Sequence, residues 1–163
     1  MVNKPKQIGT AAETAVTRYA RTAGFELAER RALAGTADLG DILLAPGVII
    51  EVKAGKAAER ASDARILNWL AETERERHNA KADVAVLVTK RAGVGHANAH
   101  NWWAHFHLHD LARLRDYPTT VPTADQAAVR MTLASALTQL RAGGYGTPLE
   151  LSLIHISEPT RPY

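Results

Sequence analysis

The stretch "LGDILLAPGVIIEVKAG", residues 39–55, constrains this chain more than any other. Two apolar runs, ILLA and VIIEV, meet at Pro46-Gly47, and their length and aliphatic content read as a pair of strands. Asp41 opens the first run, while Glu51 and Lys53 sit inside the second. Side chains on a strand alternate with period two, so Glu51 and Lys53 share a face. Asp41 joins them only if it lies across from residue 51 or 53, which takes an odd-numbered connection or a bulge. A two-residue loop in regular register would set Asp41 opposite Val52 and turn it to the other face. Pro46, with φ held at about −65°, suits neither of the primed turns that two-residue hairpins favour, so the turn chemistry permits the clustered register.

Two carboxylates held together on a rigid strand repel unless a cation lies between them, and hard oxygen donors favour Mg²⁺ or Mn²⁺. A lysine beside such a pair can orient water and offset charge on a phosphoryl transition state. The alternative is that Asp41 caps a turn while Glu51 and Lys53 pair on a solvated strand face.

The rest of the chain fits one α/β domain. Ala12, Ala15, Val16, Tyr19 and Ala23 recur at helical spacing, predicting a helix over 10–23 that Gly24 ends in a left-handed cap. "FELAERRAL" reads as a strand, and the turn-rich "AGTADLG" leads into the strand pair. A helix over 57–80 buries Leu67, Leu70 and Ala71, with Ile66 and Trp69 widening the stripe. "ADVAVLVTK" reads as a fully buried strand, "WWAHFHL" as a last strand, and 124–141 as a long helix before Gly143-Gly144.

Composition sets the outer limits. With 46% hydrophobic and 23% charged residues, a net charge of +3 and no cysteine, the chain is expected to be a globular protein without disulfides or thiolate metal sites. No apolar run approaches the roughly 20 residues of a membrane span, and the first ten residues carry lysines without an apolar core, so a cytoplasmic location is expected. The basic balance fits an anionic partner such as nucleic acid. Residues 151–163 begin "LSLIHISEPTR", which resembles an in-frame translation of a transposase-type sequencing adaptor. They are read as a non-native tail, leaving 1–150 as the domain.

An acid on the first helix in "GTAAE", an aspartate opening a strand in "GDI", then "IIEVK" on the next strand together resemble the PD-(D/E)XK nuclease superfamily. The order is most similar to archaeal-type Holliday junction resolvases and their phage relatives, over about residues 8–88. The resemblance implies a restriction-endonuclease-like core, a central mixed sheet flanked by helices. It further implies that Glu13, Asp41 and Glu51 bind Mg²⁺, or Mn²⁺ in its place, with the Val52 carbonyl a further ligand and Lys53 the catalytic lysine. The proline that the family places before its aspartate is Gly40 here, and Asp38 competes with Asp41 for the aspartate role. Glu13 has a second explanation, because Thr10 and Glu13 in "TAAE" also form a capping box.

Arg30, Arg31, Lys56, Lys90 and Arg91 flank the proposed site and are candidate DNA-phosphate contacts, each with a solvated surface role as the alternative. His105, His107 and His109 alternate in "HFHLH" and form a polar strand face or, less simply, a zinc set. Trp102 and Trp103 offer stacking surfaces, although neighbouring strand residues face opposite ways and at least one belongs to packing. The expectation is a Mg²⁺-dependent endonuclease acting on DNA, on four-way junctions as a homodimer. Another repair, recombination or restriction nuclease is the nearest alternative, and a non-catalytic DNA-binding module is the alternative of a different class.

Overall fold

A computed structural model describes residues 4–31, 38–115 and 127–149. The proposed tail, 151–163, lies outside the described residues, as do the last two residues of the expected "FELAERRAL" strand.

Helix α1 (Lys4–Thr22) begins ahead of the expected residue 10, so Thr10 is interior to the helix and cannot cap it. Small inward side chains at Ala12, Ala15, Val16 and Ala20 bring α1 close to the sheet. It ends as expected: Gly24 takes φ 96°, and the Phe25 amide donates to the Ala20 carbonyl at 3.0 Å, a Schellman closure. The expected strand from residue 25 shrinks to β1 (Glu29–Arg30). Phe25 is drawn into the core at 1% exposure, and the Ala28 amide closes a turn onto its carbonyl.

The strand pair forms as β2 (Ile42–Ala45) and β3 (Val48–Lys53) around Pro46-Gly47, where Gly47 has the positive φ, 82°, that a type II turn demands after proline. The helix expected over 57–80 is broken into α2 (Lys56–Glu59) and α3 (Asp63–Ala80), because Ser62 starts a new helix by accepting from the Arg65 amide at 3.3 Å. The buried stripe of α3 also differs from expectation. Leu70 is buried, but its partners are Thr73 and Glu76, while Ala71 is exposed and Ile66, Leu67 and Trp69 are half-buried.

Then follow β4 (Val84–Thr89), a 3-10 turn (His96–Asn101), β5 (Trp103–His107), α4 (Leu108–Leu114), β6 (Ala128–Thr132) and α5 (Leu133–Ala142). The expected long helix over 124–141 is thus a strand and a shorter helix, its first residues lying outside those described. Ala128, Arg130 and Met131 are good helix formers, but residues 128–132 pair along the whole of β5, and this tertiary pairing overrides propensity. Thr132 then caps α5 by accepting from the Ser135 amide at 3.2 Å.

The result is an α/β fold with one six-stranded mixed sheet in the order β1-β2-β3-β4-β5-β6. Only β3 and β4 pair in parallel, and α2 and α3 form the crossover between them. The main core lies on one face, where Val48, Ile50, Val52, Val84, Val86, Val88, Ala104 and Phe106 meet α1 and α5. The opposite face, under α3, holds a smaller apolar cluster of Ile49, Ala82 and Ala85, with Leu87 and Leu70 also buried. There the alternate positions are Glu51, Lys53, Thr89, Trp103, His105 and Arg130. One face carries the main core; the other carries most of the polar strand positions.

Among the described residues, no helix is long and apolar enough to cross a membrane.

Candidate active site

The register of the hairpin decides whether the site exists. Ile42 pairs with Ile50 and Leu43 with Ile49, but Ala45 pairs with Val48, so the register shifts between Leu43 and Ala45. This bulge around Leu44 adds the extra residue that a two-residue turn lacks. Continued by one residue, the register sets Asp41 opposite Glu51 and on its face. Asp41 is fixed there by its own carboxylate, whose Oδ2 accepts from the Val52 amide at 2.8 Å. Gly40 precedes it at φ 82°, a value proline cannot adopt. A glycine at this position is therefore what this backbone requires.

Asp41, Glu51 and Lys53 form a tight electrostatic group. Lys53 Nζ bonds Glu51 Oε1 at 2.8 Å and lies 3.7 Å from Glu72 Oε2. Glu51 is only 6% exposed, and burial pushes its pKa up to about 7 against the opposing pull of Lys53. Asp41 is also pushed up to about 7, first by burial and next by the charge of Glu51, with the Val52 amide acting in the other direction. For Lys53, burial favours the neutral amine but the surrounding acids outweigh it, and its pKa stands above the usual lysine value. Lys53 is accordingly an ammonium ion at neutral pH.

A further acid, absent from the sequence reading, enters from α3. Glu76 is 6% exposed, its pKa is raised chiefly by burial, and Glu51 lies within hydrogen-bonding range of it. Its Oε2 is buried without a partner among the described residues. The sequence held one usable signal: Thr73 and Glu76 continue the i, i+3 row from Leu70. A polar residue on a buried stripe is the informative exception there. Glu76 lines a cleft of about 490 Å³ with Asp38, Lys53, Glu72 and Arg75.

Glu13 approaches from α1 without joining the carboxylate pair directly. Its Oε2 takes a forked pair of bonds from Arg30 on β1, at 2.9 and 2.6 Å, yet it remains near enough for its charge to raise Asp41. With Thr10 inside the helix, the capping-box explanation of Glu13 is removed. Asp38 makes no bond to Asp41 or Glu51: it accepts from the Gly40 amide at 3.2 Å and its backbone carbonyl accepts from Asn79, but it lines the same cleft as Glu76, whose pKa its charge helps raise.

The candidate phosphate contacts divide sharply. Arg30 is committed to Glu13, Arg31 to the Leu39 carbonyl at 2.5 Å, and Lys90 to Glu59. Lys56 is exposed at the start of α2, and Arg91 lies over the Trp103 ring. Trp102 is fully buried, with its indole N–H on the Val94 carbonyl, whereas Trp103 is half-buried on the α3 face. The three histidines do not share one strand face. His105 bonds Thr89 at 3.0 Å and is held neutral, its pKa lowered to about 4 by burial and the nearby Arg130. His109 belongs to α4, where its ring stacks on His107.

Among the described residues, no three His, Asp or Glu side chains close around a common point as they stand. The donor chemistry nonetheless fits a hard divalent cation. Half-buried Asp41 and buried Glu51 lie side by side, each destabilised as an anion, and Glu76 presents an unpartnered buried oxygen near them. Searches against protein-family models, curated proteins and solved structures give no match. The functional reading therefore stands on the geometry.

Proposed function

We propose that this chain is a divalent-metal-dependent endonuclease with a restriction-endonuclease-like core, hydrolysing phosphodiester bonds in DNA. The observation that carries the reading is the carboxylate pair of half-buried Asp41 and buried Glu51, brought to one face by the Leu44 bulge, with Lys53 bonded to Glu51. Asp41, Glu51, Glu13 and the Val52 carbonyl would hold Mg²⁺, with Mn²⁺ able to replace it. Such an ion supplies Lewis-acid stabilisation of a phosphoryl transition state.

The chain's own groups divide the remaining work. Lys53, charged at neutral pH, acts as a donor and point charge: it orients the attacking water and offsets negative charge developing on the phosphoryl oxygens. It is not the base. Arg30 holds Glu13 at the edge of the site, and Glu76 sets the electrostatics behind Glu51. The water attacks phosphorus in line and the bond to the leaving oxygen breaks.

The favoured substrate is the four-way junction, cut by a homodimer, since two equivalent scissile phosphates call for two sites related by a two-fold axis. The test sets four-way junction, flap and linear duplex side by side, each with Mg²⁺, Mn²⁺ or chelator, and sedimentation at micromolar protein alongside. Paired, metal-dependent incisions by a dimer support the junction reading. Nicking by a monomer leaves a general nuclease, and no cleavage of any DNA with either metal defeats the proposal.

A further inference from the structure

Trp103 carries two guanidinium groups. Arg91 Cζ lies 4.2 Å from the ring centroid and Arg130 Cζ 4.8 Å from it. Two like charges on one ring repel, and neither has a carboxylate within 4.0 Å among the described residues. Glu59, which lines the adjoining cleft of about 450 Å³, is already bonded to Lys90. Cation–π contact holds each guanidinium while leaving its N–H edge free, which is the geometry suited to a phosphate.

The sheet register ties this cluster to the carboxylates. Lys53 pairs with Thr89 and Thr89 with Trp103, so the indole lies on the cross-sheet row of Lys53, two strand spacings or about 10 Å away. Glu51, Leu87, His105 and Arg130 form the neighbouring row. Both rows run across the face opposite the main core.

We propose that Arg91, Trp103 and Arg130 form a phosphate-binding ledge that seats the backbone of the DNA strand leading into the site. The assignment rests on the nuclease reading and adds to it the path of the substrate. Trp103 acts as the rigid support against which both guanidinium groups rest, and the arginines make the contacts.

The test is binding of a fluorescently labelled four-way junction to the full chain in chelator, followed by anisotropy from 50 to 200 mM salt. Arg91→Ala and Arg130→Ala should each reduce the slope of log affinity against log salt by about one per bound protomer, and the double variant by about two per protomer. Trp103→Leu, which keeps both charges but frees them, should weaken binding severalfold with an unchanged circular dichroism spectrum. Arg18→Ala, on the exposed side of α1, should leave the slope as it was. Slopes that match wild type in the arginine variants, or fall equally in Arg18→Ala, overturn the ledge. If wild type still cleaves in that case, the nuclease reading survives. Slopes that fall as expected without cleavage under any metal keep the ledge and remove the nuclease. A wild type that neither binds nor cuts DNA overturns both.

Discussion

The Asp41 carboxylate stands in for a strand: its Oδ2 accepts from the Val52 amide at 2.8 Å, just where β2 has stopped pairing with β3. One bond thereby terminates the ladder, satisfies a backbone donor and aims an acid at Glu51. The cost is electrostatic, since Asp41 and Glu51 are both driven to about 7. Strongly perturbed acids brought together in this way mark functional sites more often than structural ones.

That cost gives a pH dependence with a definite sign. Both acids have folded pKa values near 7, above the ordinary carboxylate values of an unfolded chain, so the folded state binds more protons between about pH 4 and 7. The stability these groups contribute is fully present at the acid end of that window and is lost as pH rises through 7. Asp41→Asn, which keeps an acceptor for the Val52 amide, should therefore stabilise the metal-free protein at pH 8 by about 1 to 3 kcal/mol and by much less at pH 5. Thermal melts in chelator at the two pH values measure this. Equal effects at both would deny the coupling.

Added Mg²⁺ should reverse the order. A cation bound only by the folded state stabilises it by mass action. At pH 8 wild type should gain melting temperature with Mg²⁺, and Asp41→Asn should gain little. A titration of melting temperature against metal concentration decides it without any DNA present.

On the proposed reading, Glu51→Gln should abolish cleavage while leaving junction binding measurable, because arginines such as Arg91 and Arg130, rather than this carboxylate, would attract DNA. Parallel anisotropy and cleavage assays read the two separately. Loss of both in a folded variant would give Glu51 a purely structural role.

Gly40→Ala should destabilise the protein by about 1 to 2 kcal/mol, since φ 82° is strained for any residue with a Cβ. The added methyl group would also sit 3.2 Å from Ile49 Cδ1. Cleavage should fall further than stability, because the strain is relieved by moving Asp41. Denaturant melts and initial rates on the same preparation test the two effects.

The site was more legible than the fold around it. Glu51 and Lys53 share a face by strand periodicity alone, and the conflict between Pro46 and a primed turn pointed to an irregular register. The location of that irregularity at Leu44 is set by packing, which sequence spacing does not carry. The local preference of residues 128–132 is helical, and only pairing to β5 makes them a strand. Arg130 therefore escaped notice as a partner of Trp103. Glu76 escaped because its role depends on the axial rotation of α3, which buries Thr73 and Glu76 while exposing Ala71.

Glu76 supplies the last prediction. Its carboxyl lies near Glu51, and its charge helps hold the Glu51 pKa up. Glu76→Gln removes that charge and places an amide donor beside Glu51, so Glu51 should ionise at lower pH. If cleavage needs Glu51 ionised, the acidic limb of the rate profile should move to lower pH in this variant, with the fold retained. Relief of the unpartnered Oε2 should also stabilise the protein at pH 8 by about 1 to 3 kcal/mol. A rate profile over pH 5 to 9, with melts on the same variant, separates the possibilities. An unchanged limb would mean that Glu76 does not act through Glu51. Complete loss of cleavage in a folded protein would instead place Glu76 among the groups that hold the metal.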